Sequence, residues 1–150
     1  MALEGQDDRV DTFDVVVLGA GSAGESIART MAQAGRSVAL IEAERVGGEC
    51  PYVACMPSKA MLRSAQIRHE ASKIVDLGGS SRPVELDQPD EAFRAALARR
   101  DDISDHHDDS AAAQGALDLG VTLIRGWGKV VRPGVLAVAN RELGWTDLVL

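Results

Sequence analysis

The chain has 150 residues, 45% of them hydrophobic and 26% charged, with a formal net charge of −7. That suffices for one ordinary soluble domain with a real core, and the acidic balance argues against nucleic acid or an anionic membrane as the main partner. No apolar run approaches a membrane span, and Met1–Asp14 lacks the basic-then-apolar order of a signal peptide.

Met1–Thr12 is polar and acidic without a period and reads as a flexible lead, followed by a single domain over 13–150. Phe13–Leu18 is a short continuous apolar run rich in β-branched residues, the pattern of a buried parallel strand. Directly after it comes Gly19-Ala20-Gly21-Ser22-Ala23-Gly24, a G-x-G-x-x-G. Glu25–Ala34 then reads as helix, with Gly35 just past its end, and Ser37–Ile41 as a second strand ending at Glu42.

Alone, G-x-G-x-x-G is a weak pattern. Here a strand precedes it, a helix follows, and an acid stands 18 residues beyond Gly24. The first glycine makes the tight turn, the second admits a pyrophosphate to the backbone, and the third lets helix pack on strand. Unpaired N–H groups of the helix N-terminus meet the phosphates. Glu42 would accept hydrogen bonds from the adenosine ribose and repel a 2′-phosphate, so the ligand expected is FAD- or NAD-like.

Gly47–Lys59 holds the only two cysteines, Cys50 and Cys55, with Pro51, Pro57 and Lys59 close by. On a regular helix this spacing puts the Cα atoms about 8.7 Å apart and on different faces. A disulfide needs about 7 Å or less, so only a distorted turn allows it. Pro51 suits a first helical position with Cys50 as cap, and Pro57 denies the Val53 carbonyl a helical partner. Lys59, one turn after Cys55, and a helix N-terminus beside Cys50 both favour thiolates, which describes a reversible redox pair with depressed thiol pKa values. Unpaired structural cysteines and a zinc site are the alternatives. The four-residue gap is poor zinc spacing, no second ligand pair follows, and His69, His106 and His107 lack ligand spacing; we assign no metal site. The compartment expected is the cytoplasm, where a disulfide is more often catalytic than structural.

Ala60–Leu77 continues as helix, Gly78–Asp87 as loop, and Glu91–Leu119 as mainly helix with Phe93, Leu97, Ile103 and Leu117 as apolar markers. The acidic run Asp101–Asp109 reads as a solvated helix face rather than a metal cluster. Val121–Ile124, Lys129–Val131, Val135–Val138 and Leu148–Leu150 are short β-runs separated by Gly, Pro and Asn. Trp127 and Trp145 read as packing residues.

Taken together, GAGSAG, Glu42 and GGEC-PYVA-C-M-PSK resemble the FAD-dependent pyridine nucleotide–disulfide oxidoreductases, whose usual run is GGTC, four residues, then C-x-PSK. That group includes dihydrolipoamide dehydrogenase, glutathione reductase and mercuric reductase. The resemblance implies an α/β, Rossmann-like FAD-binding domain: a parallel sheet with helices plus a small antiparallel β-meander. It implies FAD as bound cofactor, with Gly19, Gly21, Ser22 and Gly24 at the pyrophosphate and Glu42 at the ribose. Gly47, Gly48 and Glu49 would lead along the cofactor, and Gly128 would offer its backbone near the adenine. Cys55 would lie nearest the flavin as a charge-transfer thiolate, Cys50 would exchange with substrate, and Lys59 would stabilise charge on the flavin. Electrons would pass between NAD(P)H, FAD, the Cys50–Cys55 disulfide, and a small-molecule disulfide, dithiol or metal-ion substrate.

Glu49 stands where the family has threonine, Pro51-Tyr52 where Leu-Asn is commoner, and Ala54 where glycine is commoner; these departures put substrate identity in doubt. A second glycine motif, an Ala-Thr-Gly turn and the interface domain of the homodimeric relatives do not occur in these residues. We therefore expect an incomplete FAD domain, the N-terminal part of an enzyme and inactive alone. A truncated, non-catalytic nucleotide-binding module and an NAD-binding domain with incidental cysteines are the competing readings.

Overall fold

The computed structural model describes residues 10–150; most of the expected lead, residues 1–9, lies outside the described residues. The elements in order are β1 (Asp11–Leu18), α1 (Ser22–Gln33), β2 (Val38–Glu42), α2 (Glu49–Tyr52), α3 (Cys55–Ser72), α4 (Pro89–Ile103), α5 (Ser110–Asp118), β3 (Thr122–Arg125), β4 (Gly128–Arg132), β5 (Val135–Val138) and β6 (Arg141–Val149). They fall into two compact units: residues 10–48 with 109–150, and residues 49–108.

The first unit is one six-stranded sheet in the order β3-β2-β1-β6-β5-β4. β3, β2, β1 and β6 are parallel, and β6, β5 and β4 form the antiparallel meander. Alternation on β1 and β2 explains why their sequences are continuously apolar. Val15, Val17, Val38 and Leu40 fill one cluster with α1 and α5 residues such as Ile27, Met31, Ala112 and Ala116. Val16, Ala39 and Ile41 fill the other with Leu136, Val138 and Leu143. Each fully buried Leu or Ile there contributes roughly 1.5–3 kcal/mol.

β6 is the largest departure from the expected elements. It is a nine-residue strand that reaches back to Arg141, not the short run Leu148–Leu150. Its first half carries Arg141, Glu142 and Gly144, which mask the β pattern. Position 144 takes glycine because a Cβ there would stand 3.0 Å from Thr12 Oγ1 on β1. The first strand also starts at Asp11, two residues earlier than Phe13.

In the second unit α3 packs beside α4, tied by the Arg99 guanidinium donating to the Ala60 carbonyl at 3.0 Å. The helix expected over Glu91–Leu119 is interrupted. Asp105, His106 and His107 all have positive φ, at 47°, 51° and 65°, and Asp and His tolerate that region better than most residues. Ser104 closes α4 by donating its hydroxyl to the Arg100 and Asp101 carbonyls. The expected apolar markers Phe93 and Leu117 are exposed, as are Leu62 and Ile67 of α3, and Trp127 of the first unit is 79% exposed rather than packed. No helix among the described residues is long and apolar enough to cross a membrane.

Three carboxyls of the first unit titrate below their ordinary range. Asp14 is drawn down by the Ser37 N–H and hydroxyl, and Glu142 by its hydrogen bond with Arg132. At Asp109 burial pushes upward, but the Arg125 hydrogen bond and the Val46 N–H together outweigh it. Depressed folded pKa values give stability that is present above the unfolded value, about 4, and is lost as pH falls through the folded values. Glu25, raised by burial against the pull of Arg29, works in the opposite sense. The thermal midpoint should therefore fall below about pH 4, and Asp109→Asn should flatten that fall; circular-dichroism melts from pH 7 to 3 measure both.

Candidate functional site

The first unit supplies a cradle. β1 ends at Leu18, and the chain turns through Gly19 at φ +102°, a conformation glycine adopts freely; its N–H donates to the Ile41 carbonyl at 2.8 Å. Gly21 is the N-cap of α1, no side chain caps that helix, and the first intrahelical bond runs from the Glu25 N–H to the Gly21 carbonyl at 2.9 Å. The N–H groups of Ser22, Ala23 and Gly24 precede that bond, so the turn is lined with donors. A Cβ at Gly24 would overlap the Gly19 carbonyl oxygen, whereas one at Gly21 would meet nothing within 4 Å. A cavity of about 310 Å³ opens here, lined by Gly19, Gly21, Ser22 and Gly24 together with Val149.

Glu42, the last residue of β2, is bound to this turn. Its Oε2 accepts the Ala20 N–H at 2.7 Å and its Oε1 the Glu44 N–H at 2.6 Å. Each carboxylate oxygen keeps a further lone pair for a hydroxyl donor. The Gly47 N–H donates to the Ala20 carbonyl at 2.7 Å, and Gly47 bridges Gly21 in parallel fashion. Gly47 and Gly48 have φ of +106° and +73°, and a Cβ on Gly48 would come within 3.0 Å of Gly21 Cα. Donors at a helix N-terminus, space where a side chain would stand, and a carboxylate at the neighbouring strand end fit a pyrophosphate and a ribose. Gly128 has a packing reason of its own: a Cβ there would meet Leu18 Cδ1 at 2.5 Å.

The second unit supplies the thiols. Helix breaks between Tyr52 and Cys55, with Ala54 at the non-helical φ −117°, ψ −91°. Cys50 lies in α2 and Cys55 is the first residue of α3, where the dipole of an 18-residue helix favours negative charge. Pro57 sits in the first turn, where its missing N–H costs nothing, so it starts α3 instead of loosening it. Both cysteines are free thiols, Cys50 half-buried and Cys55 exposed. The Cys50 thiol is pushed up, first by its hydrogen bond to Cys55, then by burial and the charge of Cys55; Lys59 and the Cys55 N–H pull it back only in part. This corrects the expectation of a depressed Cys50: the direction of its shift is upward. Exposed Lys59 follows Cys55 by one turn of α3. Tyr52 is only 5% exposed, so this departure from the family run packs inward, and Glu49 opens α2 as an exposed acid.

Asp109 ends an acidic run that reads as solvated, so its contacts are not legible in the sequence. Its Oδ2 accepts the Val46 N–H at 2.6 Å and the Arg125 guanidinium at 2.7 Å. Elsewhere in that run His106 Nε2 stands 3.2 Å from Asp102 Oδ1, and no group of His, Cys, Asp or Glu among the described residues could hold a metal ion.

The model of the pyridine nucleotide-disulphide oxidoreductases matches residues 13–150. Among curated relatives, a dihydrolipoyl dehydrogenase of Bacillus subtilis is 30% identical over 126 residues, 83% of this chain and 25% of that protein. One of Mycobacterium tuberculosis is 45% identical over 75 residues, 50% of this chain and 16% of that protein. In fold, the chain resembles the HOCl-induced flavoprotein disulfide reductase RclA from Escherichia coli, with a TM-score of 0.68 at 24% identity over 90% of this chain and 27% of that one. This chain spans about a quarter or less of the length of these proteins.

Proposed function

This chain belongs to the pyridine nucleotide-disulphide oxidoreductase family, and on that premise we propose that it carries the FAD cradle and redox dithiol of an NAD(P)H-linked disulfide oxidoreductase. The observation that carries the reading is the pair of free thiols, Cys50 in α2 and Cys55 opening α3, set across a break in the helix with Lys59 one turn further on. Two neighbouring thiols near an ammonium can be oxidised to one disulfide and reduced again. Bound FAD would supply the two-electron relay between a nicotinamide hydride and these sulfurs.

The chain's own residues do the rest. The α1 N-terminus with Gly19, Gly21, Ser22 and Gly24 holds the pyrophosphate, and Glu42 orients the ribose. Gly47, Gly48 and Glu49 follow the cofactor, and Gly128 offers backbone near the adenine. Cys50 attacks a substrate disulfide, releasing one thiol and leaving a mixed disulfide; Cys55 then displaces the second thiol and closes Cys50–Cys55. Lys59 holds negative charge near the reacting sulfurs. The substrate is a small-molecule disulfide, dithiol or metal ion, and the setting is a cytoplasmic homodimer, by analogy with the family.

The visible spectrum of the purified protein, before and after dithiothreitol, tests this. A flavin spectrum that gains a long-wavelength band on reduction is the expected result, because a thiolate then stands against the flavin. Colourless protein that takes up no added FAD would overturn the reading and favour a non-catalytic module.

A further inference from the structure

The nucleotide cradle has two walls, the Gly19–Gly24 turn and the Gly47–Gly48 pair, and something must set the second against the first. Between Glu42 and Gly47 the chain runs outside any strand or long helix, so its course depends on individual hydrogen bonds. One end is held by Glu42 on the Ala20 and Glu44 N–H groups. The other is held by the Gly47 N–H on the Ala20 carbonyl. In the middle, the Arg125 guanidinium reaches the Glu44 carbonyl at 3.3 Å and Asp109 Oδ2 at 2.7 Å, while the same oxygen takes the Val46 N–H at 2.6 Å. Val46 is fully buried, and Arg125 pairs with Glu42 in the β2–β3 register.

We propose that Asp109 is a positioning residue for the dinucleotide cradle: its carboxylate draws the Val46 N–H and the Arg125 guanidinium to one point and so fixes Gly47–Gly48 against Gly21. The assignment rests on the flavin reading above for its purpose, but not for its geometry. Asp109 touches no part of the cradle's open space. It acts by placing backbone that does, and the margin is small, since a Cβ on Gly48 would stand only 3.0 Å from Gly21 Cα.

The test uses the whole chain and the variants Asp109→Asn, Asp109→Ala and Arg125→Gln. Amide hydrogen exchange without ligand should quicken at Val46, Gly47 and Gly48 by about ten- to a hundredfold in Asp109→Ala, the scale of one lost charged hydrogen bond. Exchange at Val15–Val17 should stay as in wild type, which separates positioning from general destabilisation. FAD affinity, read by flavin fluorescence, should weaken by a similar factor, with Asp109→Asn and Arg125→Gln intermediate. Unchanged exchange at 46–48, quickening spread equally over β1, or intact FAD affinity despite faster exchange would each overturn the assignment. Wild-type chain that binds no FAD would sink the flavin reading alone, with the exchange pattern still deciding the role of Asp109.

Discussion

Gly24→Ala should cost the ligand-free chain about 3 kcal/mol or more, while Gly21→Ala should leave its stability within about 1 kcal/mol and destroy FAD uptake. The two glycines stand in the same hexapeptide, yet their surroundings differ in kind. The added methyl at 24 would overlap the Gly19 carbonyl oxygen and lie 3.3 Å from Val17 Cγ1. The overlap is with backbone, so no rotamer change relieves it; α1 would have to lift from β1 or the turn would have to open. At 21 the φ of −71° is ordinary for alanine and no atom stands within 4 Å. Only the N-cap preference of glycine over alanine is lost there. Its methyl would instead occupy the approach to the helix N–H groups, and affinity for FAD should fall at least about a hundredfold, the loss of roughly two hydrogen bonds to a charged group. Urea titration reads the first effect and flavin fluorescence the second. Equal destabilisation by both variants would mean that Gly21 serves packing and not a ligand.

The contrast also shows which parts of the molecule sequence could reveal. Roles that depend on neighbours within a few residues were legible: the positive φ of Gly19, the open side of Gly21 and the pressed contact of Gly24 follow from a strand–turn–helix pattern. The apolar runs of β1 and β2 were legible because burial on both faces leaves no polar positions. The first part of β6 was not, since its identity comes from pairing with β1 and β5, and Arg141, Glu142 and Thr146 project where neither core lies. Asp109 was hidden for the same reason: its partners Val46 and Arg125 are distant in sequence. The thiol pair was legible as chemistry but not in its electrostatics. Spacing shows Lys59 and a helix start, which lower a thiol pKa, but not that the neighbouring Cys55 pushes the Cys50 titration up.

Removing either cysteine should slow the single-turnover reduction of a small disulfide by the reduced chain by about three orders of magnitude or more, because exchange needs one sulfur to attack and another to resolve. The two variants should nevertheless differ in ways that a structural pair would not. In the free chain, Cys55→Ala deletes the main cause of the raised Cys50 titration, so Cys50 should carry more thiolate at neutral pH and be alkylated faster by iodoacetamide than in wild type. Lys59→Ala should act oppositely, since the ammonium pulls the Cys50 titration down. With flavin bound, Cys50→Ser should show the long-wavelength band without added reductant, because Cys55 is then left unable to form a disulfide. Cys55→Ser should show no band under any condition. If the band followed Cys50 instead, the roles of the two sulfurs would be exchanged. If both variants still reduced the disulfide, neither would belong to the reaction, and the thiol pair on α2 and α3 would be a packing feature of its own unit.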